Sequence, residues 1–230
     1  MSAAARARRR YDALARRRDR DGSGPTLDDA PIARFPGATA AFALLGEVLM
    51  TGMLITLVAL PVVTLPVALA AGIRHLRRYV GAEDSRLRHF WADVRAGILP
   101  GLVVGAGALV IALLLAGDIR VTQIAALPGA GLVAAFGWMA LAVLAAALLL
   151  VAGEWSPERG WRAAVRAVPR AFAADPVGGL YMVATVGVVV VVTWMLTPLF
   201  VAIIGCAALA VVAVPARTRR GVAGRDATDA

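Results

Sequence analysis

Four long stretches of this chain contain no charged residue, and they set its hydrophobic pattern. They cover residues 48–73, 96–117, 121–153 and 176–216. A helix that crosses the hydrocarbon core of a bilayer needs about 20 predominantly apolar residues. Each stretch is long enough for at least one such helix. The pattern therefore predicts an all-α, polytopic transmembrane helix bundle and excludes an ordinary water-soluble enzyme.

Two of these stretches belong to apolar runs too long for one helix, and prolines divide both. Pro61 and Pro66 interrupt the first run, where they would end or sharply kink a helix. Thr197-Pro198 interrupts the last run in the same way. The resulting six spans are expected at about 38–59, 64–80, 96–117, 130–153, 177–195 and 198–216.

The connections between the predicted spans are short or polar. Asp118 and Arg120 mark a short loop between the third and fourth spans. The second span is brief, so the count falls to five if the 62–80 segment is re-entrant. Irregular backbone at that depth is tolerated only where it is packed inside protein.

Charge is distributed unevenly between the predicted spans. All 24 basic residues are arginine, and the net charge is +9. Nine arginines lie in 1–34, six in 74–95, four in 154–175 and four in 217–230. Six spans place all four segments on one face, which the positive-inside rule identifies as the cytoplasm. We expect a multi-pass protein of a bacterial plasma membrane with both termini cytoplasmic, and no nucleic-acid partner.

These boundaries divide the chain into three parts. Residues 1–34 form an Arg-rich tail that is predicted to be disordered and cytoplasmic. Residues 35–216 form a single transmembrane domain, and 217–230 form a cytoplasmic C-terminal tail.

The polar stretches 81–95 and 154–175 each predict an amphipathic helix on the cytoplasmic surface. Ser156-Pro157-Glu158 has the cap residue, the proline and the acid typical of a helix start. Such helices present arginine and tryptophan to lipid headgroups or to a partner protein. The candidate contacts are Arg86, Arg88, Trp91, Arg159, Trp161, Arg162, Arg166 and Arg170.

Glu47 is the one ionisable residue well inside a predicted span. A charged side chain at that depth costs about 3 kcal/mol, so it is a candidate for function. Its expected partners are threonines, Thr51 one turn away and Thr56 or Thr64 on neighbouring backbone. The alternative is a hydrogen-bonded structural acid beside a broken helix. The candidate intramembrane polar site comprises Glu47, Thr51, Pro61, Thr64 and Pro66.

Three glycines repeat every four residues in the third predicted span, at Gly97, Gly101 and Gly105. Small residues on one helix face let helices approach closely in lipid. We predict a packing face within the bundle in preference to a dimer interface.

Side chains for catalysis, metal binding or cofactor binding do not form any familiar motif. The chain has no lysine, and its four serines lie outside any nucleophile motif. His75 and His89 lie in Arg-rich segments and are interpreted as interfacial polar residues, because a metal site needs three or four convergent ligands. We predict no enzymatic activity, no metal and no cofactor.

Five short motifs carry a resemblance to a known family. They are Gly46-Glu47-Val48-Leu49, the turn from Leu60 to Pro66, the small-residue run Ala68–Gly72, the basic run Arg74–Tyr79, and Phe90-Trp91. Over about 42–105 the chain resembles the YesL-like family of bacterial membrane proteins. The resemblance implies a small polytopic plasma-membrane protein without an established activity, from a family often encoded beside carbohydrate-uptake ABC importers.

The resemblance therefore implies an accessory or assembly partner of a carbohydrate transport system, with ABC importer subunits as its partners. The alternative is a small channel or carrier that acts on its own, through Glu47 and the broken 60–66 segment. The lipid bilayer itself is the remaining expected partner, with anionic headgroups at the arginines.

Overall fold

A computed structural model describes the backbone of residues 37–124, 129–196 and 199–226, and the side chains of 42–124, 129–196 and 199–214. The described residues are mostly helical and contain no strand, which confirms the predicted all-α class. The chain divides into two units, Met1–Leu44 and Leu45–Ala230. Within the first unit only the opening turns of the first helix are described. The predicted N-terminal tail lies outside the described residues.

The described residues form seven α-helices and one short 3-10 turn. The turn is Val62–Thr64, and it separates the first two helices. The helices are α1 (Gly37–Val58), α2 (Leu65–Val80), α3 (Leu87–Ile124), α4 (Ala130–Glu154), α5 (Gly160–Ala174), α6 (Pro176–Met195) and α7 (Phe200–Asp226).

Three of these helices, α3, α4 and α6, are long and apolar enough to cross a membrane. The segments Phe42–Val58 of α1 and Phe200–Val214 of α7 are apolar but shorter. By length and composition, the described chain is therefore that of a membrane protein. The backbone of α7 continues as helix to Asp226, well into the predicted C-terminal tail.

The break between α1 and α2 falls where the two prolines predict it. Pro61 precedes the 3-10 turn, and Pro66 lies in the first turn of α2. Proline is accepted there because its missing N–H would have no helical partner. The Thr64 hydroxyl donates a hydrogen bond to the Pro61 carbonyl (2.7 Å) and also contacts the Val58 carbonyl, which closes the turn.

Helix α2 is the most buried element of the second unit. Every residue from Pro66 to Ile73 is buried, and the helix packs against α3, α4 and α7. Its sequence is apolar on all sides over this range, as is typical of a helix surrounded by others. With 16 residues it is about 24 Å long, which is shorter than the hydrocarbon core of a bilayer.

The turn before α2 reaches only about halfway along α3. The Val63 carbonyl contacts Gly105, and the Pro66 ring lies 3.4 Å from the place where a Cβ on Gly105 would stand. Gly105 is the tenth residue of the uncharged stretch 96–117. The α1–α2 hairpin therefore ends beside the middle of the apolar part of α3.

Helix α3 differs from the prediction at both of its ends. It runs without a break for 38 residues, or about 57 Å, from Leu87 to Ile124. The predicted loop at Asp118 and Arg120 is wrong, because a charged side chain does not end a helix and no proline or glycine follows until Pro128-Gly129. The first predicted amphipathic helix is not a separate element, because 87–95 is the first part of α3.

A helix forms in the second of these predicted segments but begins later than predicted. The Arg159 N–H donates to the Ser156 hydroxyl (3.3 Å), which makes a local turn in place of a first helical turn. Gly160 has a φ of +70°, a left-handed conformation that glycine adopts without strain, and α5 starts there. The start predicted at Pro157 is therefore three residues too early.

Candidate functional site

A buried acid–histidine pair joins α1 to α2. The Glu47 Oε1 and His75 Nε2 atoms are 2.6 Å apart. The His75 side chain is fully buried, and that of Glu47 is only 17% exposed. His75 also packs edge-on against the ring of Phe90 on α3, with 6.3 Å between centroids. Hydrogen bonds strengthen in apolar surroundings, so this pair fixes how α1 sits against α2.

The threonines predicted as partners of Glu47 do not bind it. Thr51 shares a face of α1 with Glu47 and is fully buried, but its hydroxyl has no hydrogen-bond partner among the described residues. Thr56 donates to the Gly52 carbonyl one turn back (2.8 Å). Thr64 closes the proline turn, so Pro61, Thr64 and Pro66 shape the hairpin and do not contact the acid–histidine pair.

The prediction that His75 is an interfacial polar residue is wrong, and the sequence held a signal that would have placed it. Glu47 lies 14 residues before Pro61, and His75 lies 14 residues after it. Two helices that turn at Pro61 bring residues at equal distances from the turn to the same level. His89 is partly exposed, and its ring lies 3.3 Å from Asp84 in the loop before α3.

A second buried charge cluster joins α2 to α3. Asp93 Oδ2 is 2.8 Å from Arg78 Nη2 and 3.2 Å from Arg74 Nε. The Asp93 side chain is 6% exposed, so the two arginines supply the positive charge that a buried carboxylate requires. The Arg74 guanidinium also lies over the Trp155 ring, 5.8 Å from its centroid. The basic end of α2 is therefore held by residues of its own bundle.

Two stacked tryptophans hold α5 to the bundle. The Trp155 and Trp161 rings are 5.4 Å apart between centroids, and the Trp161 indole N–H donates to the Gly97 carbonyl (3.0 Å). Both rings are buried. The prediction that Trp161 contacts lipid or a partner is therefore wrong. The indole is drawn inward because Gly97 and Gly101 leave space for it along α3.

The polar segments 74–95 and 154–161 meet at one end of these helices. The Arg77 guanidinium donates to the Gly153 carbonyl at the end of α4 (3.1 Å). Hydrogen bonds from the Ser156 hydroxyl and from the Glu158 backbone, followed by the charges of Arg74 and Arg159, lower the pKa of the Glu158 carboxyl below its usual value. Together with the tryptophan contacts, these interactions define what we call the arginine end of the bundle.

Several predicted contact residues remain exposed at the arginine end. Arg86 and Arg88 both reach Asp84, at 3.4 and 3.1 Å, and both are more than half exposed. Desolvation acts to raise the pKa of the Asp84 carboxyl, but hydrogen bonds from the Arg86 backbone and the His89 ring outweigh it and lower the pKa below its usual value. Trp91 is 39% exposed. The exposed arginines around α5 are Arg159, Arg162, Arg166 and Arg170.

The three glycines of α3 all face other helices of the bundle. A Cβ at Gly97 would be 2.9 Å from Trp155, and one at Gly101 would be 3.0 Å from Trp161. At Gly105 a Cβ would clash with the Val63 carbonyl oxygen. The structure thus brings this predicted face against α2 and the tryptophan pair.

An apolar hollow lies beyond the proline turn, between α3 and α4. Its volume is about 200 Å³, and its lining residues are all apolar, among them Val62, Pro66, Leu109 and Leu144. Within the described part of the chain, no group of three or more His, Cys, Asp or Glu residues could hold a metal ion.

Comparison of the chain with protein-family models, curated proteins and solved structures found no match.

Proposed function

We propose that this chain is a multi-span protein of a bacterial plasma membrane that serves as an accessory or assembly partner of a transport system. Its resemblance to YesL-like proteins supports carbohydrate import as the class of transport. In this proposal the chain catalyses no reaction. It contributes a stable membrane bundle and a surface on which importer subunits assemble.

The observation that carries this proposal is the pairing of Glu47 with His75. A carrier needs intramembrane polar groups that are free to bind its solute or a coupling ion. Here the acid of α1 is bound to the histidine of α2 at 2.6 Å, and Asp93 is bound to two arginines. Buried ionisable groups that hold helices together support a structural role.

The proposed topology has both termini in the cytoplasm. Six crossings and a re-entrant α1–α2 hairpin both satisfy this condition, because each returns the chain to the side on which it started. The contact between Val63 and Gly105, midway along the apolar part of α3, supports the hairpin. In that arrangement α3, α4, α6 and α7 cross the membrane, and α1 and α2 enter and leave it on the arginine side.

The proposed docking surface is the start of α3. Trp91 is partly exposed there, next to the fully buried Phe90, so its backbone is held rigidly by the bundle. Arg86 and Arg88 extend from the same segment into solvent. Tryptophan and arginine are the residue types that most often dominate the free energy of protein–protein binding.

This proposal is tested by co-purification from native membranes in a mild detergent. We expect ABC importer subunits, identified by mass spectrometry, to be recovered with the wild-type chain. Simultaneous replacement of Arg86, Arg88 and Trp91 by alanine should reduce that recovery at least tenfold, since such residues each contribute about 2 kcal/mol or more at an interface.

The matched control replaces exposed residues far from the arginine end. Arg120 near the far end of α3 and Trp194 near the end of α6 offer the same two side-chain types, and both are exposed. Their alanine variant should keep the importer subunits. Recovery of a chain free of importer subunits in several mild detergents, or equal loss in both variants, contradicts the proposal.

One observation favours the carrier alternative. The Thr51 hydroxyl and His75 Nδ1 are both buried, and neither has a hydrogen-bond partner among the described residues. A channel or carrier built on Glu47 and the 60–66 turn would use such groups along its path. That alternative requires Glu47→Gln to change solute flux in reconstituted vesicles, and unchanged flux rejects it.

A further inference from the structure

One side of helix α5 is fixed to the bundle. Another side carries positive charge that no acidic side chain in the described part of the chain neutralises. Trp161 and Ala164 are buried against the bundle and fix the orientation of the helix. Arg162, Arg166 and Arg170 follow one another at intervals of four residues, which places them on one side of a helix. We call these three residues the arginine ridge.

The arginine ridge differs from the other basic groups near it. Arg74 and Arg78 both form ion pairs with Asp93, and two further arginines bind Asp84. In contrast, Gly160–Ala174 contains no acid, and the ridge residues form no ion pair within the described part of the chain. All three are exposed. The ridge therefore has charge that only an anion outside the described chain can balance.

Apolar side chains lie beside the arginine ridge. Val165 is 44% exposed and Phe172 is 49% exposed. At 100° per residue, both fall between the ridge and the side that carries Trp161. A helix with adjacent basic and apolar strips is suited to the boundary between headgroups and acyl chains, where its arginines reach phosphates and its apolar side chains enter the lipid.

We propose that the arginine ridge of α5 binds the headgroups of anionic phospholipids in the leaflet at the arginine end. Charge complementarity selects this occupant, because the ridge offers three guanidinium groups and each can donate paired hydrogen bonds to a phosphate. The exposed Val165 and Phe172 provide the apolar contact that a soluble anion would not use. This inference goes beyond the accessory role and does not depend on it.

The test uses the full chain in a neutral detergent, titrated with phosphatidylglycerol or with phosphatidylcholine of the same acyl chains. Bound lipid is counted by native mass spectrometry. A basic residue close to an anionic lipid surface contributes about a fivefold gain in affinity. We therefore expect a preference for phosphatidylglycerol of at least tenfold, which weakens as salt is added.

The variant R162Q/R166Q/R170Q should lose this preference. The control R86Q/R88Q/R95Q removes the same charge from the start of α3 and should retain it. Equal preference in the two variants, or no preference in the wild-type chain, overturns the proposal. If inorganic phosphate alone displaces the bound lipid and the chain does not select between the two lipids, the result favours a soluble anion and overturns the proposal. If the ridge captures importer subunits and the chain does not select between the lipids, the result favours a protein partner and also overturns it.

Both variants should elute as the wild-type chain does in the neutral detergent, because the replaced side chains are exposed. If the ridge variant does not fold, the lipid preference of the wild-type chain and its salt dependence still decide the question. Failure of lipid binding leaves the expected co-purification with importer subunits unchanged, so the two proposals fail separately.

Discussion

Replacing Glu47 with leucine is expected to lower the free energy of unfolding by about 1–3 kcal/mol. The substitution leaves His75 fully buried with neither ring nitrogen bonded. An orphaned buried polar group costs its full desolvation free energy, which is larger than the net contribution of the pair. Reversible unfolding of the full chain in mixed detergent micelles measures this loss.

The double variant Glu47→Leu/His75→Leu should recover much of that stability. Replacing both members of a buried hydrogen-bonded pair by apolar residues of similar shape is often nearly neutral or stabilising. The control is Glu83→Leu, which removes an exposed acid from the loop between α2 and α3 and should change stability by less than about 0.5 kcal/mol. Additive losses in the double variant would show that the two side chains do not interact.

Replacing Gly105 with alanine is expected to destabilise the bundle by about 2 kcal/mol. The new methyl group would meet the Val63 carbonyl oxygen, so the proline turn and α3 would have to separate. Overpacking of this kind typically costs about 1–3 kcal/mol. The loss is measured as the change in unfolding free energy of the full chain in micelles.

The same helix supplies a matched control two residues away. A Cβ at Gly107 would have no heavy atom within 4 Å. Gly107→Ala should therefore leave stability unchanged or raise it by up to about 1 kcal/mol, because alanine favours a helix more than glycine does. Equal effects at the two positions would contradict the close contact between the α1–α2 turn and α3.

Hydropathy and proline positions predicted most of the helices, because both act locally. The break at Pro61 and Pro66 and the extent of α4 and α6 follow from the residues present at those places. The sequence predicts α3 too short, because a charged residue does not by itself end a helix. The helix instead continues through Asp118 and Arg120, past the apolar stretch, to Ile124.

The contacts of the candidate site were harder to predict because they join residues far apart in sequence. Nothing in the spacing of α5 shows that Trp161 turns inward toward Gly97, 64 residues earlier. The same holds for Asp93, whose neighbours in α3 give no sign that Arg74 and Arg78 neutralise it. Interhelical pairing depends on how helices cross, and a single sequence does not contain that information in a local form.

We propose that the Arg-rich segments lie together on the cytoplasmic side of the membrane, and thiol labelling in intact cells tests this topology most directly. Cys206 is the only cysteine, so a Cys206→Ala background allows one new cysteine at a time. A cysteine introduced in place of Ser85 or Ser156 reports on the arginine end. Ile124 is 82% exposed at the far end of α3, and a cysteine in its place reports on the other side of the membrane. A cysteine in place of Val62 reports on the tip of the hairpin.

With a membrane-impermeant thiol reagent, cysteines at positions 85 and 156 should be labelled only after the cells are permeabilised. A cysteine at position 124 should be labelled in intact cells. A cysteine at position 62 should resist labelling from outside if the hairpin ends within the membrane, whereas labelling there would indicate six full crossings. Labelling at position 85 or 156 in intact cells would contradict the account.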